Sequence, residues 1–314
     1  MPDSFKPFPR AGLALDPIHV GAGGSRLGRV DNTIVRDPVT RVPKIPGSSL
    51  AGVFRAYAAM AKGKYPDCAG QGQPRNNGSG GHCGKADCPI CTVFGFARGN
   101  AGGFAGLAAF SDGHALLFPV ATREGPVWVT CPTALRVIET LRVFPDVTED
   151  AVHRRQAAQQ LLNLGWLMLP VKASPNGWPD VPGEIKKLGV PDYIRDRIGV
   201  ISDKLFSHVV NSNLEVRTSV SIDPTTGTAE EGALFTYEAL PRGTVLLWDV
   251  TCRNPGHFKV DGSAVGAVTT ADAVHDVVAC AHSYLEHLGI GGMGTRGMGR
   301  FRVLGSGAAG GGKK

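Results

Sequence analysis

Two glycine-rich loops, "GAGGSRLG" from Gly21 to Gly28 and "GIGGMGTRGMGRF" from Gly289 to Phe301, constrain this chain more than any other feature. Segments with so few side chains build no core, and ordering them costs more backbone entropy than ordering any other composition. A chain that keeps two of them needs their backbone to lie close to something. Glycine is spread the same way elsewhere. The 43 glycines among 314 residues gather in loops and not in one tail, which describes long loops on a compact scaffold.

Neither loop is a standard nucleotide site. Gly21, Gly23 and Gly28 miss the GxGxxG spacing, and "LGRV" lacks the Lys-Ser/Thr that ends a phosphate loop. The first loop reads equally well as a plain turn or as an RNA contact. The second is more specific. Gly291, Gly292, Gly294, Gly297 and Gly299 free backbone N–H groups to line an anion site, with Arg296 and Arg300 beside them. An excess of 33 Lys+Arg over 27 Asp+Glu, net +6, fits a polyanion partner without requiring one.

Around the loops the chain alternates between the two hydrophobic periods. "AGLALDPIHVG", "GLAAFSDGHALLFPV" and "VWVTCPTAL" read as strands, with Pro17 marking an edge or bulge in the first. "PGSSLAGVFRAYAAMAKGK" reads as a helix with Ser48 or Ser49 as cap and Leu50, Val53, Phe54, Tyr57 and Met60 as its apolar stripe. Serine hydroxyls at a helix start also welcome an anion. From about 147 to 205 the pattern turns helical, with "DAVHRRQAAQQLLNLGWLML" as its best amphipathic stretch. "VRTSVSIDPTTGTAEEGALFTYEALPRGTVL" reads as a long hairpin around "DPTTGT", with Glu230 and Glu231 as surface charge. "TADAVHDVVACAHSYLEHLG" is a second helix, and residues 305–314 are an expected disordered tail. Strands at both ends with helices between define an α+β class, one domain over 1–314 with insertions. With no apolar run of membrane length and no apolar leader after "MPDSFKPFPR", the expectation is a soluble, cytoplasmic chain.

Seven cysteines are an odd number, and four of them lie between Cys68 and Cys91 in an otherwise glycine-rich, polar insertion at 65–98. That is metal-site usage and not a disulfide framework. Cys88 and Cys91 form a CxxC knuckle, Cys83 is near, and Cys68 or His82 completes four ligands for tetrahedral zinc. Adjacent ligands His82 and Cys83 would strain the geometry, which favours Cys68. A closed site of this kind is structural, because metal binding supplies the folding free energy that the insertion lacks. A zinc deaminase also uses CxxC but needs H-x-E and P-C-x-x-C. Asp87 precedes the pair here and Gly84 replaces the glutamate. His19 and Asp31, on either side of the first loop, read by spacing alone as a packed histidine and a solvated or salt-bridged acid.

Taken together, "HVGAGGSRLGRVDNTIVRDPVTRVPKIPGSSLAGVFRAY", "AAFSDGHALLFPV", "GALFTYEALPRGTVL" and "LGIGGMGTRGMGRF" resemble the RAMP superfamily of CRISPR effector proteins. The likeness is to the repeated backbone subunit of type III complexes, most in character with III-B, with "VDNTIVRDPVTRVPKIPGSSL" suiting III-A as well. The resemblance implies a ferredoxin-like, RRM-related palm with inserted helical and zinc subregions and a thumb hairpin at about 213–240. It implies copies stacked in a helical filament with other type III subunits along a crRNA, and target RNA cut opposite each thumb. The acid matching the family's cleavage motif is Asp31, and His19 matches a histidine of the same region. RNA contact then falls to Gly21, Gly23, Arg26, Arg29, Ser48, Ser49, Arg55, Gly291, Gly292, Gly294, Arg296, Gly297 and Arg300. Asp31 would act as base or hold a divalent cation such as Mg2+. A non-catalytic crRNA scaffold, in which Asp31 only pairs with Arg26 or Arg29, is the alternative.

Overall fold

The alternation in "GHALLFPVATREGPVWVT" closes into a tight antiparallel pair. Strands Gly113–Thr122 and Gly125–Thr130 meet at Thr122 and Gly125, with Gly125 at φ +90° where the turn needs it, and bury Leu116, Leu117, Phe118, Val127 and Val129. This computed structural model describes residues 4–23, 30–70, 81–98, 102–230 and 232–305. Arg26, Arg29, Glu231 and the tail from 306 on lie outside the described residues.

The chain divides into two compact units. The larger comprises Ala11–Lys44, His114–Leu247 and Ile290–Lys314. The chain's main mixed sheet runs in the order Phe301–Leu304, Phe5–Ala14, Val245–Arg253, Gly113–Thr122, Gly125–Thr130, Ile198–Val200, Val152–Arg154, Leu167–Ala173, Ala158–Leu164. Pairing is antiparallel except where Ile198–Val200 joins Gly125–Thr130 and where Leu167–Ala173 joins Val152–Arg154. Leu13, Leu117, Trp128, Leu135, Phe144, Ile185, Val245 and Leu247 form the core. The hairpin of strands Glu215–Ser219 and Phe235–Ala239 stands as a separate two-stranded sheet, as the turn chemistry predicts. Ile222 and Ala229 pair around the "DPTTGT" turn.

The stretch expected to be helical departs from the reading. "AQQLLNLGWLMLPVKA" is a hairpin of strands Ala158–Leu164 and Leu167–Ala173, and only the short helices Val181–Lys186 and Asp192–Arg195 lie wholly within 147–205. Gly165, at φ +65°, makes the two-residue turn with Trp166. Leu162, Leu164, Leu169 and Val171 are buried while Leu161, Trp166 and Met168 are exposed. Good helix formers (Ala, Gln, Leu) masked a period of two that the sheet enforces.

The smaller unit comprises Met1–Arg10, Ile45–Gly113 and Trp248–Gly289. Helices Gly47–Ala61, Pro89–Phe94, Ala271–Ala279 and His282–Leu288 pack with strand Ala108–Phe110, which pairs with Val250–Cys252. Phe54 is fully buried, its ring 5.3 Å from Phe110, 6.3 Å from Trp248 and 5.9 Å from His282. The single helix expected at "TADAVHDVVACAHSYLEHLG" breaks after Ala279. No helix among the described residues is long and apolar enough to cross a membrane.

Candidate functional site

In the larger unit, the inner arm of the hairpin gathers three sequence-distant segments. Residues 30–36 run beside it: Asn32 donates its N–H to the Thr236 carbonyl (3.0 Å), and Glu238 donates its N–H to the Asn32 carbonyl (3.0 Å). Arg36 locks the arrangement from below. Its Nη2 meets Glu238 Oε2 at 2.8 Å, Nη1 donates to the Ile34 carbonyl at 3.0 Å and Nε donates to Asn211 Oδ1 at 2.9 Å, all largely out of solvent. A part-buried ion pair hydrogen-bonded in this way fixes geometry more than it adds stability.

Asp31 is thereby held on the hairpin arm. Its Oδ2 accepts from the Thr236 backbone N–H at 2.7 Å and from Thr236 Oγ1 at 2.9 Å, and its own N–H donates to Thr236 Oγ1 at 3.1 Å. The Thr236 backbone and hydroxyl donors hold the carboxyl below the usual aspartate range, so it stays ionised. The side chain is exposed, and Oδ1 makes no hydrogen bond among the described residues. His19 docks on the same arm one step along. It is 8% exposed, with Nδ1 2.6 Å from the Glu238 carbonyl and its ring edge-on to Tyr237. A carbonyl only accepts, so Nδ1 carries the hydrogen and Nε2 is the nitrogen left for chemistry. A Cβ on Gly21 would stand 3.1 Å from Nε2, so glycine there keeps that face open.

The second glycine loop closes against the same histidine. Gly292 donates its N–H to the His19 carbonyl at 2.8 Å, and a Cβ on Gly291 would meet that oxygen at 2.3 Å with φ at +88°. Gly299 is likewise pressed on the Ile290 carbonyl, while Gly23 and Gly297 have positive φ and open space. Gly291 and Gly299 are therefore glycine for packing, and Gly23 and Gly297 for conformation at an exposed surface. Gly294 opens the short 3-10 turn Gly294–Arg296, whose Arg296 is exposed and has no carboxylate partner among the described residues. Arg300 pairs with Asp16 through Nε at 2.5 Å and Nη2 at 3.0 Å. Met293, Phe235 and Met298 pack around Tyr237, tying loop and hairpin together. Thr236, Glu238 and Arg36 escaped the sequence reading, since each reaches a partner some two hundred residues away.

In the smaller unit, Ser48 is exposed and Ser49 half-buried at the start of helix Gly47–Ala61, but neither caps it. The helix start is instead tied by the Gly47 N–H donating to Asp112 Oδ1 at 2.7 Å. Arg55, expected on RNA, is 9% exposed and turned inward. Its guanidinium donates to the Cys68 carbonyl (2.6 Å), to the Gly95 carbonyl (2.7 Å) and to His82 Nδ1 (2.7 Å). That excludes Arg55 from an RNA surface and takes His82 away from metal ligation. The Sγ atoms of Cys68, Cys83, Cys88 and Cys91 all lie within 4.8 Å of one another. Such spacing approaches the roughly 3.8 Å edge of a tetrahedron with bonds of about 2.3 Å. Burial pushes the Cys68 thiol up, and S–H donation from Cys91 draws Cys88 down. These four sulfurs could hold one soft or borderline divalent cation, which would deprotonate them all.

The geometry defines a mixed-sheet α+β protein that sets glycine-lined backbone and the Asp31 carboxylate on the inner arm of a separate two-stranded hairpin. Residues 13–302 match the model of the RAMP superfamily, and the chain belongs to that family. It is 27% identical over 248 residues to the CRISPR system Cmr endoribonuclease Cmr4 of Pyrococcus furiosus, which is 74% of this chain and 76% of that protein. It is 39% identical over 82 residues to the CRISPR system Cms endoribonuclease Csm3 of Methanothermobacter thermautotrophicus, 26% of this chain and 29% of that one. Its fold resembles a chain in the cryo-EM structure of type III-B Cmr-beta bound to cognate target RNA, with a TM-score of 0.66, 16% identity and coverage of 96% and 98%.

Proposed function

We propose that this chain is the repeated backbone subunit of a type III CRISPR effector, most like the III-B form, that binds crRNA and cleaves the paired target RNA as an endoribonuclease. Family membership and the Cmr4 and Csm3 relatives support the assignment. The observation that carries the chemistry is Asp31 seated on Thr236 of the hairpin. Base pairing supplies sequence readout in such a system, so protein contacts go to RNA backbone. Glycine loops and Arg296 suit that task better than a recognition helix would.

In this reading the sheet is a ferredoxin-like palm and the hairpin is the thumb that splays the target at one nucleotide. A splayed ribose brings its 2′-hydroxyl in line with the neighbouring phosphate, and orientation alone removes much of the barrier. Asp31, held ionised, is a weak proton acceptor, and this favours its holding a divalent cation such as Mg2+ through Oδ1 over abstracting a proton. Such an ion would supply charge relief at the phosphate. His19 Nε2 is the better-placed proton carrier. The four thiolates of Cys68, Cys83, Cys88 and Cys91 take one structural zinc, Ser48 and Ser49 offer a helix-start contact to phosphate, copies stack along the guide, and the work is done in the cytoplasm.

Asp31→Ala in the assembled complex is expected to lower target cutting by roughly 10²–10⁴-fold, with guide and target affinity nearly unchanged. Target shortened at the wild-type rate by Asp31→Ala places the chemistry elsewhere. The second reading, a non-catalytic scaffold, is favoured by one fact: Thr236 already satisfies half of the Asp31 carboxylate. It requires that assembled wild-type complexes bind target RNA and never shorten it.

A further inference from the structure

Arg55 is a buried cation without a buried anion. It sits in the middle of helix Gly47–Ala61 and, among the described residues, makes no ion pair with any carboxylate. Its three hydrogen bonds all go to neutral groups, the Cys68 and Gly95 carbonyls and His82 Nδ1. An isolated guanidinium out of water is costly unless a counter-charge lies close by. The four-cysteine cluster has the opposite difficulty. Four thiolates around one divalent cation leave two negative charges in excess, and Cys68, Cys88 and Cys91 are at most 3% exposed. Each anomaly is removed by the other. The guanidinium is hydrogen-bonded to the main chain of one of the four cysteines, and all four, once thiolates, act on it electrostatically.

We infer that Arg55 is the built-in counter-ion of a metal-loaded tetrathiolate, a positioning residue that fixes Cys68 and His82 around the site and offsets its charge. The inference rests on the zinc reading above. His82 falls into place as part of the shell: its ring accepts from Arg55 and orients nothing toward the metal. The Cys68 main chain, at φ +61°, is in a conformation that few non-glycine residues keep, and the Arg55 Nε–H to its carbonyl holds it there. The helix that carries Ser48 and Ser49 is in this way fastened to the cysteine insertion through one side chain.

The full chain, stripped of metal and titrated with Co2+, then back-competed with Zn2+, tests this. Thiolate-to-cobalt absorption reports four sulfur ligands directly. Wild type is expected to take one equivalent per chain with a four-thiolate spectrum. Arg55→Met, which keeps the apolar stem and removes the charge, is expected to bind both ions roughly 10–100-fold more weakly, and Arg55→Lys is expected to recover most of that loss. Should Arg55→Met fail to fold, Arg55→Lys folding and loading in parallel still assigns the requirement to charge. Arg55→Met with wild-type affinity, or Arg55→Lys as impaired as Arg55→Met, overturns the counter-ion role and leaves the zinc site standing. Wild type that shows no thiolate band and no stoichiometric metal overturns the zinc site and the counter-ion role with it.

Discussion

At the scale of single residues, glycines that look alike in sequence separate once their surroundings are known. Gly291→Ala would put a methyl group into the His19 carbonyl at positive φ. The backbone strain alone costs about 1–3 kcal/mol, and the clash disturbs the histidine. Gly297→Ala meets open space at φ +76° and is expected to cost only about 1–2 kcal/mol. Urea midpoints of the two variants should rank in that order. Thr236→Val removes the hydroxyl from Asp31 but leaves the backbone donor. It is expected to slow cutting, with Thr236→Ser restoring it and target affinity unmoved in both. The resemblance points to Asp31 and His19 as candidates, and the structure seats both on one hairpin arm, but their partners are not legible in the sequence. Nothing local announces that Thr236 and Glu238 will meet them. Arg55, an RNA contact by the resemblance, turns inward because its acceptors on Cys68, Gly95 and His82 lie elsewhere in the chain.

At the scale of elements, legibility followed how much of the pattern was local. The hairpin around "DPTTGT" and the strand pair around "REGP" carry their own turn chemistry and formed where expected. The hairpin Ala158–Leu164/Leu167–Ala173 has strong helix formers and a single glycine at its turn, and tertiary pairing decided its state. Helix Gly47–Ala61 shows a subtler shortfall. The helix begins at the expected place, but its first N–H is tied by Asp112 and no serine caps it. Ser48→Ala and Ser49→Ala are therefore each expected to cost under about 0.5 kcal/mol of stability, against about 1 for a lost cap. Gly47→Ala, whose Cβ would stand 2.6 Å from the Phe110 carbonyl oxygen, is expected to cost about 1–3 kcal/mol. Denaturant titration of the three variants separates these outcomes.

For the whole molecule, both units carry buried or half-buried histidines that resist protonation. In the smaller unit, burial pushes His275 and His282 down to about 4, helped by the Arg10 guanidinium that donates to His275 Nε2. In the larger unit, burial lowers His153, whose ring packs on Trp178 and finds no partner within hydrogen-bond geometry at either nitrogen among the described residues. Folded, these imidazoles bind protons less readily than unfolded, so unfolding takes up protons in acid. The stability they share is complete above about pH 6.5 and drains away as pH falls below it, for His275 and His282 through about 4. Urea midpoints are expected to drop over that window. His153→Phe, which removes two unsatisfied ring nitrogens, should flatten the drop, whereas an unchanged slope would exonerate His153.

The hairpin divides into a root and a tip. Asp31, His19 and Arg36 all fasten to residues 236–238, whereas Val220, Ile222 and Leu234 farther out are exposed. A subunit built this way treats its outermost finger as an interchangeable cassette. On the function proposed above, trimming or exchanging residues 220–234 would change the hairpin's outer surface and leave the Asp31–Thr236, His19–Glu238 and Arg36–Glu238 contacts in place.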